Sequence, residues 1–226
     1  MNVTRAIFVI NLEHRTDRRI AMEKQLLRIG WYAEFFPAIR PDNAADFPSI
    51  GARGCFLSHL SVLRNAQKAG LPQLVILEDD VNFAPNFAER WTLSISSLET
   101  QEWSIFYPGH ALDDLPEGLS RISPDKGILS THFMVINGHA ISPLIAGLER
   151  ILARPGGHPL GGPMHVDGAY STLRTQTPSL VTYAYSPVLG YQRPSRTDVR
   201  DLRWFDRVSI LRPIMEFARM LKTTDQ

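Results

Sequence analysis

The sequence holds a single cysteine, Cys55, in 226 residues. That excludes an internal disulfide framework and suits a reducing compartment, with a buried, inert thiol as the expected state of Cys55. No apolar run approaches the roughly 18–20 residues that a membrane span needs. The apolar stretch Ala6–Ile10 is too short for a signal-peptide core with a cleavage site. The expectation is a cytoplasmic protein, soluble or held peripherally at the inner face of the cell membrane. The formal charge is only +1, so no broad positive field speaks for nucleic acid, and none is expected as a partner. A glycine-rich phosphate fingerprint is missing, as is a Gly-x-Ser-x-Gly elbow. Their absence removes support for P-loop, dinucleotide-binding and serine-hydrolase readings. Internal repeats and low-complexity tracts are also missing.

What remains is the composition of a soluble globular chain, 44% hydrophobic and 21% charged, long enough for one substantial core. Ala6–Ile10 is a compact run rich in β-branched residues and reads as a buried first strand. Thr16 follows as a helix cap, Met22, Leu26 and Ile29 fall at helical spacing, and Gly30 is the stop. Tyr32–Ile39 resembles a second strand. Gly51–Gly54 leads into a second amphipathic helix with Phe56, Leu60 and Leu63 on one face, ended by Gly70 and Pro72. Leu74–Leu77 is then a third strand. Strand–helix–strand–helix–strand in about 80 residues predicts parallel α/β layers with right-handed crossovers.

The second half is less regular. Ser104–Tyr107 and Ile128–Ile136 read as strands, and Ser142 and Pro143 as the cap and first position of a helix. Its inner face would be Leu144, Leu148, Ile151 and Leu152. Arg154–Met164, with four glycines and three prolines, reads as a loop, either mobile over a site or plain surface. Asp167 should sit near the N-terminus of a short helix, and Leu180–Tyr185 should be a late strand. Residues 203–226 form a basic amphipathic pattern, with Phe205, Val208, Leu211 and Met215 on one face. That face either packs on the domain or rests on an anionic membrane. The expected division is a domain over 1–202 and this C-terminal helix and tail over 203–226.

The chemistry gathers at three places. Glu78-Asp79-Asp80 stands where the third strand should end. Three adjacent acids repel one another unless a cation or hydrogen-bond donors balance them. Magnesium or manganese takes such oxygen ligands and often shares them with a substrate phosphate. The other reading is a polar strand cap. Asn11-Leu12-Glu13-His14-Arg15, followed by Arg18 and Arg19, lies between strand and helix. That is a natural phosphate position with cationic donors, or else an exposed basic helix start. Ser58 and His59 precede the acidic strand on their helix. As helical neighbours they do not face each other, which disfavours a Ser/His nucleophile pair.

These blocks together are similar to one family. Val9-Ile-Asn-Leu-Glu-His-Arg-Thr-Asp-Arg-Arg19, then Gly54-Cys-Phe-Leu-Ser-His59, then Ile76-Leu-Glu-Asp-Asp80 resemble glycosyltransferase family 25 in order and spacing. The resemblance covers about the first 85 residues and is looser beyond. It implies an α/β, GT-A-like fold with a mostly parallel central sheet flanked by helices. It further implies a UDP-sugar donor, usually UDP-galactose, a Mn2+ or Mg2+ ion, and inversion at the anomeric carbon. Carried onto this chain, Asp80 is the metal ligand, and Glu78 lies nearer the ribose or sugar while sharing in the metal site. Asn11, Leu12, Arg15, Ser58, His59 and Asp79 would line the donor pocket. His165-Val-Asp-Gly-Ala-Tyr170 resembles the family's later acidic segment, so Asp167 is the candidate catalytic base, with a helix N-cap as its other reading. Asp113, Asp114 and Asp198 are reserves. Gln192–Asp198 resembles the family's C-terminal stretch, in which Arg193 or Arg196 would neutralise a diphosphate, unless it is a solvated loop.

The chain departs from the family at His132-Phe133-Met134, where a tyrosine is frequent, and Ile105–Gly109 matches only loosely. The expected partners are a UDP-sugar and a glycan or lipid-linked oligosaccharide acceptor, in bacterial lipooligosaccharide or other surface-glycan synthesis. A non-catalytic relative that binds a nucleotide sugar through the same scaffold is the second reading. A nucleotidyltransferase is the third, weakened by the missing glycine-rich loop.

Overall fold

The computed structural model describes residues 6–193. The expected C-terminal basic helix at 203–226, Arg196 and Asp198 lie outside the described residues. A seven-stranded sheet organises the rest, in the order β2-β1-β3-β7-β5-β8-β6. The strands are β1 (Ala6–Asn11), β2 (Glu34–Pro37), β3 (Gln73–Glu78), β5 (Ile105–Gly109), β6 (Gly118–Ile122), β7 (Phe133–Asn137) and β8 (Thr182–Ser186). β1, β2, β3, β5 and β8 run in one direction, and β6 and β7 run against them. The expected mostly parallel sheet is therefore present, with two reversed strands. A separate ribbon pairs β4 (Val81–Phe83) with β9 (Gly190–Gln192).

Helices cover both faces, and the period-two alternation of β3 divides the core between them. Leu74 and Ile76 meet α2 (Ile50–Lys68), α4 (Gly138–Leu152) and α5 (Val166–Gln176), through Phe56, Leu60, Leu144, Leu148 and Tyr170. Val75 and Leu77 meet α1 (Thr16–Ile29) and α3 (Phe87–Leu98), through Met22, Leu26, Phe87 and Trp91. On this second face Trp31 stands edge-on to Trp91, Phe87 and Phe133, with ring centroids 4.8, 5.1 and 6.2 Å away.

Several local expectations shift. Thr16 is the first helical residue and Arg15 the cap, because the Arg15 amide already turns back to the Leu12 carbonyl at 2.8 Å. Gly30 ends α1 as expected, in a left-handed conformation at φ 70°, with Trp31 N–H bonded to Leu26 O. α2 starts at Ile50, where the Ser49 hydroxyl accepts from Ala52 N–H. α4 begins five residues before Pro143, which lies inside it. The chain turns straight out of β7 through extended Asn137, and the helix tolerates the one hydrogen bond that Pro143 cannot make. The strand expected at Ile128–Ile136 is confined to its second half and extends to Asn137.

Candidate active site

β1 and β3 are parallel neighbours, with Ile10 opposite Glu78, so their carboxyl ends open at one sheet edge. β7 runs the other way, and its beginning arrives at that same edge, where Glu78 N–H bonds His132 O at 2.9 Å. A cavity of about 360 Å3 lies there. Its walls come from the β1 end and α1 start (Ile10, Leu12, His14, Arg18), the β2 exit (Ala38–Pro41), the first turns of α2, the acid triplet, Ser130–Thr131, and the start of α5 (His165–Asp167). Ligands in open α/β sheets sit at such an edge.

Gly54 shapes one wall. A Cβ at this position would stand 2.4 Å from the Ile39 carbonyl oxygen, so only glycine lets the β2 exit cross α2 so closely. Ser58 completes the crossing: its hydroxyl donates to Gly54 O at 2.7 Å and accepts from Ile39 N–H at 2.8 Å. Ser58 thus lines the cavity while holding its wall.

The three acids have different surroundings. Both Asp79 oxygens are hydrogen-bonded: Arg18 Nη1 donates to Oδ1 at 2.7 Å and Asn11 Nδ2 to Oδ2 at 2.7 Å. Asp80 is buried and accepts from Gln192 Nε2 at 3.1 Å on Oδ2, with Arg18 Nη1 3.6 Å from that oxygen. Its other oxygen, Oδ1, is buried with no hydrogen-bond partner. Burial raises the Asp80 carboxyl above its ordinary range, opposed by the charge of Arg18. Glu78 accepts from Thr131 Oγ1 at 3.0 Å. Burial, and then the charge of Asp80, lift Glu78 to about 8. An orphaned, buried carboxylate oxygen beside a second carboxyl that resists ionisation is a site short of positive charge. The donor set, all oxygen, fits a hard divalent cation. Asp80 and Glu78 are the residues that would hold it.

Behind Glu78 lies fully buried His59. Its Nε2 is 3.9 Å from Glu78 Oε1 and its Nδ1 3.4 Å from the Tyr170 hydroxyl. Burial lowers the imidazole to about 3, so it is neutral near pH 7. Cys55, expected buried and inert, instead lines the cavity half-buried. Burial, and then the charge of Glu78, push its thiol well above the ordinary value.

Asp167 lies in the first turn of α5, two residues past the actual cap, His165. Its carboxylate faces the cavity and accepts from Gly168 N–H at 2.8 Å and Ser130 N–H at 3.3 Å.

Of the residues singled out from the sequence, Leu12, Ser58, Glu78, Asp79, Asp80 and Asp167 line this cavity. His59 touches it through Glu78. Asn11 is buried behind Asp79, and Arg15 forms a surface pair with Asp17 at 2.9 Å. Arg193 bonds the back of the acid turn, N–H to Asp80 O at 2.7 Å and Nη2 to Asp79 O at 3.4 Å. Asp113 and Asp114 are away from the cavity. Sequence reading passed over Arg40, Ser130 and Thr131. The last two reach the site through the antiparallel register of β7 against β3, which no local pattern announces.

Comparison with known proteins finds similar chains. The profile of Glycosyltransferase family 25 (LPS biosynthesis protein) matches residues 48–113. A "Glycosyltransferase 25 family member" of Anopheles gambiae is 29% identical over 125 residues, covering 46% of this chain and 21% of that protein. "Procollagen galactosyltransferase 1-B" of Xenopus laevis is 24% identical over 227 residues, covering 88% and 34%. The human "Inactive glycosyltransferase 25 family member 3" is 25% identical over 225 residues, covering 81% and 36%. The chain therefore matches little more than a third of these relatives' length at most. Among solved structures, a glycosyltransferase involved in glycosylation of the major capsid of PBCV-1 aligns over 85% of this chain and 94% of its own, at 11% identity and TM-score 0.48. The Asn11–Arg19, Gly54–His59 and Glu78–Asp80 blocks meet at one cavity, and residues 48–113 of the chain are similar to glycosyltransferase family 25.

Proposed function

We propose that this chain transfers a hexose, galactose first among the choices, from a UDP-sugar to a hydroxyl of a glycan acceptor, with inversion. The observation that carries the reading is the orphaned Asp80 oxygen beside Glu78 on a cavity wall at the carboxyl ends of β1 and β3. A divalent cation held by Asp80 and Glu78, manganese or magnesium, supplies positive charge for the departing nucleoside diphosphate. The chain's own residues support the same task. Arg18 and Arg40 line the cavity, and the first turn of α2, which carries no acid, presents its N-terminus there. Ile10, Leu12, Ala38 and Pro41 offer an apolar wall for the nucleoside.

Asp167 takes the acceptor proton. Its two backbone donors fix the carboxylate at the cavity wall, and inversion needs a base on the face opposite the leaving group. The test is Asp167→Asn assayed for sugar transfer and for UDP binding. Transfer falls by about 10²–10⁴-fold while the UDP dissociation constant stays within about twofold. Unchanged transfer contradicts the role.

A second reading is favoured by one observation, the match over 225 residues to a human relative named inactive. In it the same cavity binds a nucleotide sugar without turnover. Tight UDP-sugar binding with silence over a broad acceptor panel supports it. Galactose is favoured by the frog relative's name, and a surface-glycan acceptor by the family's description. A lipid-linked acceptor at a membrane surface rests on residues 203–226. Among the described residues no helix is long and apolar enough to cross a membrane.

A further inference from the structure

Apart from the oxygen-only pair at Asp80, the cavity floor carries a cluster of different chemistry. Cys55 Sγ, His59 Nε2 and a Glu78 carboxylate oxygen all lie within 4.8 Å of one another. Cys55 and His59 are one helical turn apart on α2, so both project toward the end of β3. His59 Nε2 is fully buried, has no hydrogen-bond partner, and faces Glu78. We propose that Cys55, His59 and Glu78 form a second metal site, selective for zinc-class ions, with its remaining position open to the cavity.

The ligand chemistry sets the selectivity. A thiolate, an imidazole and a carboxylate suit tetrahedral zinc, whereas magnesium and manganese prefer oxygen alone. With zinc bonds of about 2.0–2.3 Å, ligand atoms around a tetrahedron stand roughly 3.5 Å apart, so the cluster closes by a small movement. Glu78 is the member able to make it, because its side chain is 23% exposed to the cavity. Cys55 and Glu78 line the cavity, which provides the entry path. His59 needs its Nε2 lone pair free, and the Tyr170 hydroxyl, 3.4 Å from Nδ1, can accept the Nδ1–H of the tautomer that leaves it so. On binding, a zinc–sulfur and a zinc–carboxylate bond form, and the thiol proton and the proton held by Glu78 pass to solvent. Zinc would also draw Glu78 away from Thr131 and Asp80, so the two sites compete for one carboxylate.

The experiment is titration of the full chain with Co2+ and Zn2+ alone, read by absorption and calorimetry. Cys55 is the sole cysteine, so a thiolate-to-cobalt charge-transfer band has one source. The expected result is such a band, displaced by one equivalent of zinc, absent in Cys55→Ser, and retained in Asp80→Asn. Tyr170→Phe, which keeps the core shape, weakens zinc binding by about tenfold. A wild-type chain without the band, or zinc affinity unchanged in Cys55→Ser, overturns the proposal. So does zinc binding that is lost in Asp80→Asn and kept in Cys55→Ser, which would put the ion on the oxygen-only pair.

Discussion

Glu78 and His59 stand 3.9 Å apart and are shifted in opposite directions, which gives the metal-free protein a defined pH response. His59 falls from 6.5 to about 3, so the unfolded chain binds more protons than the folded one between those values, and stability rises with pH there. Glu78 rises from 4.5 to about 8, so the folded chain binds more protons and stability falls with pH between those values. The two oppose each other from 4.5 to 6.5, where His110 and His132, also lowered by burial, act in the same sense as His59, and the Glu78 slope prevails only once the histidine range is passed. The thermal midpoint in chelator therefore drops as the pH rises from the end of the histidine range toward about 8. Glu78→Gln flattens that drop, and manganese reduces it. A midpoint rising through this range would contradict the electrostatic account. The acid triplet was legible in the sequence because strand end and charge coincide. Its division of labour was not, since Asp79 is hydrogen-bonded by Arg18 and Asn11, partners 61 and 68 residues away. Arg15 and Arg18 look alike in the sequence, yet α1 turns one to Asp17 at the surface and the other to the site.

At the level of elements, two contacts position the cavity walls, and each can be broken singly. Gly54→Ala puts a methyl group 2.4 Å from the Ile39 carbonyl, against backbone that cannot rotate away. The expected cost is about 1–3 kcal/mol of stability, with weaker UDP binding because Ile39–Pro41 must move. Urea denaturation and calorimetry read the two effects, and unaltered values for both would contradict the crossing. Buried Arg174 ties α5 to its surroundings, with Nε to Thr182 Oγ1 at 3.0 Å, Nη1 to Lys126 O at 2.8 Å and Nη2 to Ser123 O at 2.7 Å. Arg174→Met leaves the Lys126 and Ser123 carbonyls without these donors and lowers stability by about 1–3 kcal/mol in urea denaturation. The elements of the first 80 residues were readable because strands and helices alternate there with clean apolar periods. α3 and α4 were harder. Serines and threonine interleave the apolar face of α3, and Pro143 reads as a helix start although α4 is already five residues long. β4, β6 and β9 are short or half-exposed, and pairing rather than local pattern defines them.

Across the whole molecule, the site exists because the sheet brings the ends of β1 and β3 beside the start of β7. The β4–β9 ribbon then returns Gln192 to Asp80 across 112 residues. Fold class and the parallel core followed from the opening strand–helix alternation, whereas the reversed strands and this return contact needed three dimensions. The central claim is that the acid cluster serves a metal-dependent UDP-sugar reaction. Its most direct measurement is UDP release from a panel of UDP-sugars, in manganese and in EDTA, by wild type and Asp80→Asn. The predicted result is release from one donor, lost in EDTA and reduced by about 10²–10³-fold in Asp80→Asn. Full release by Asp80→Asn, or release indifferent to EDTA, would contradict it.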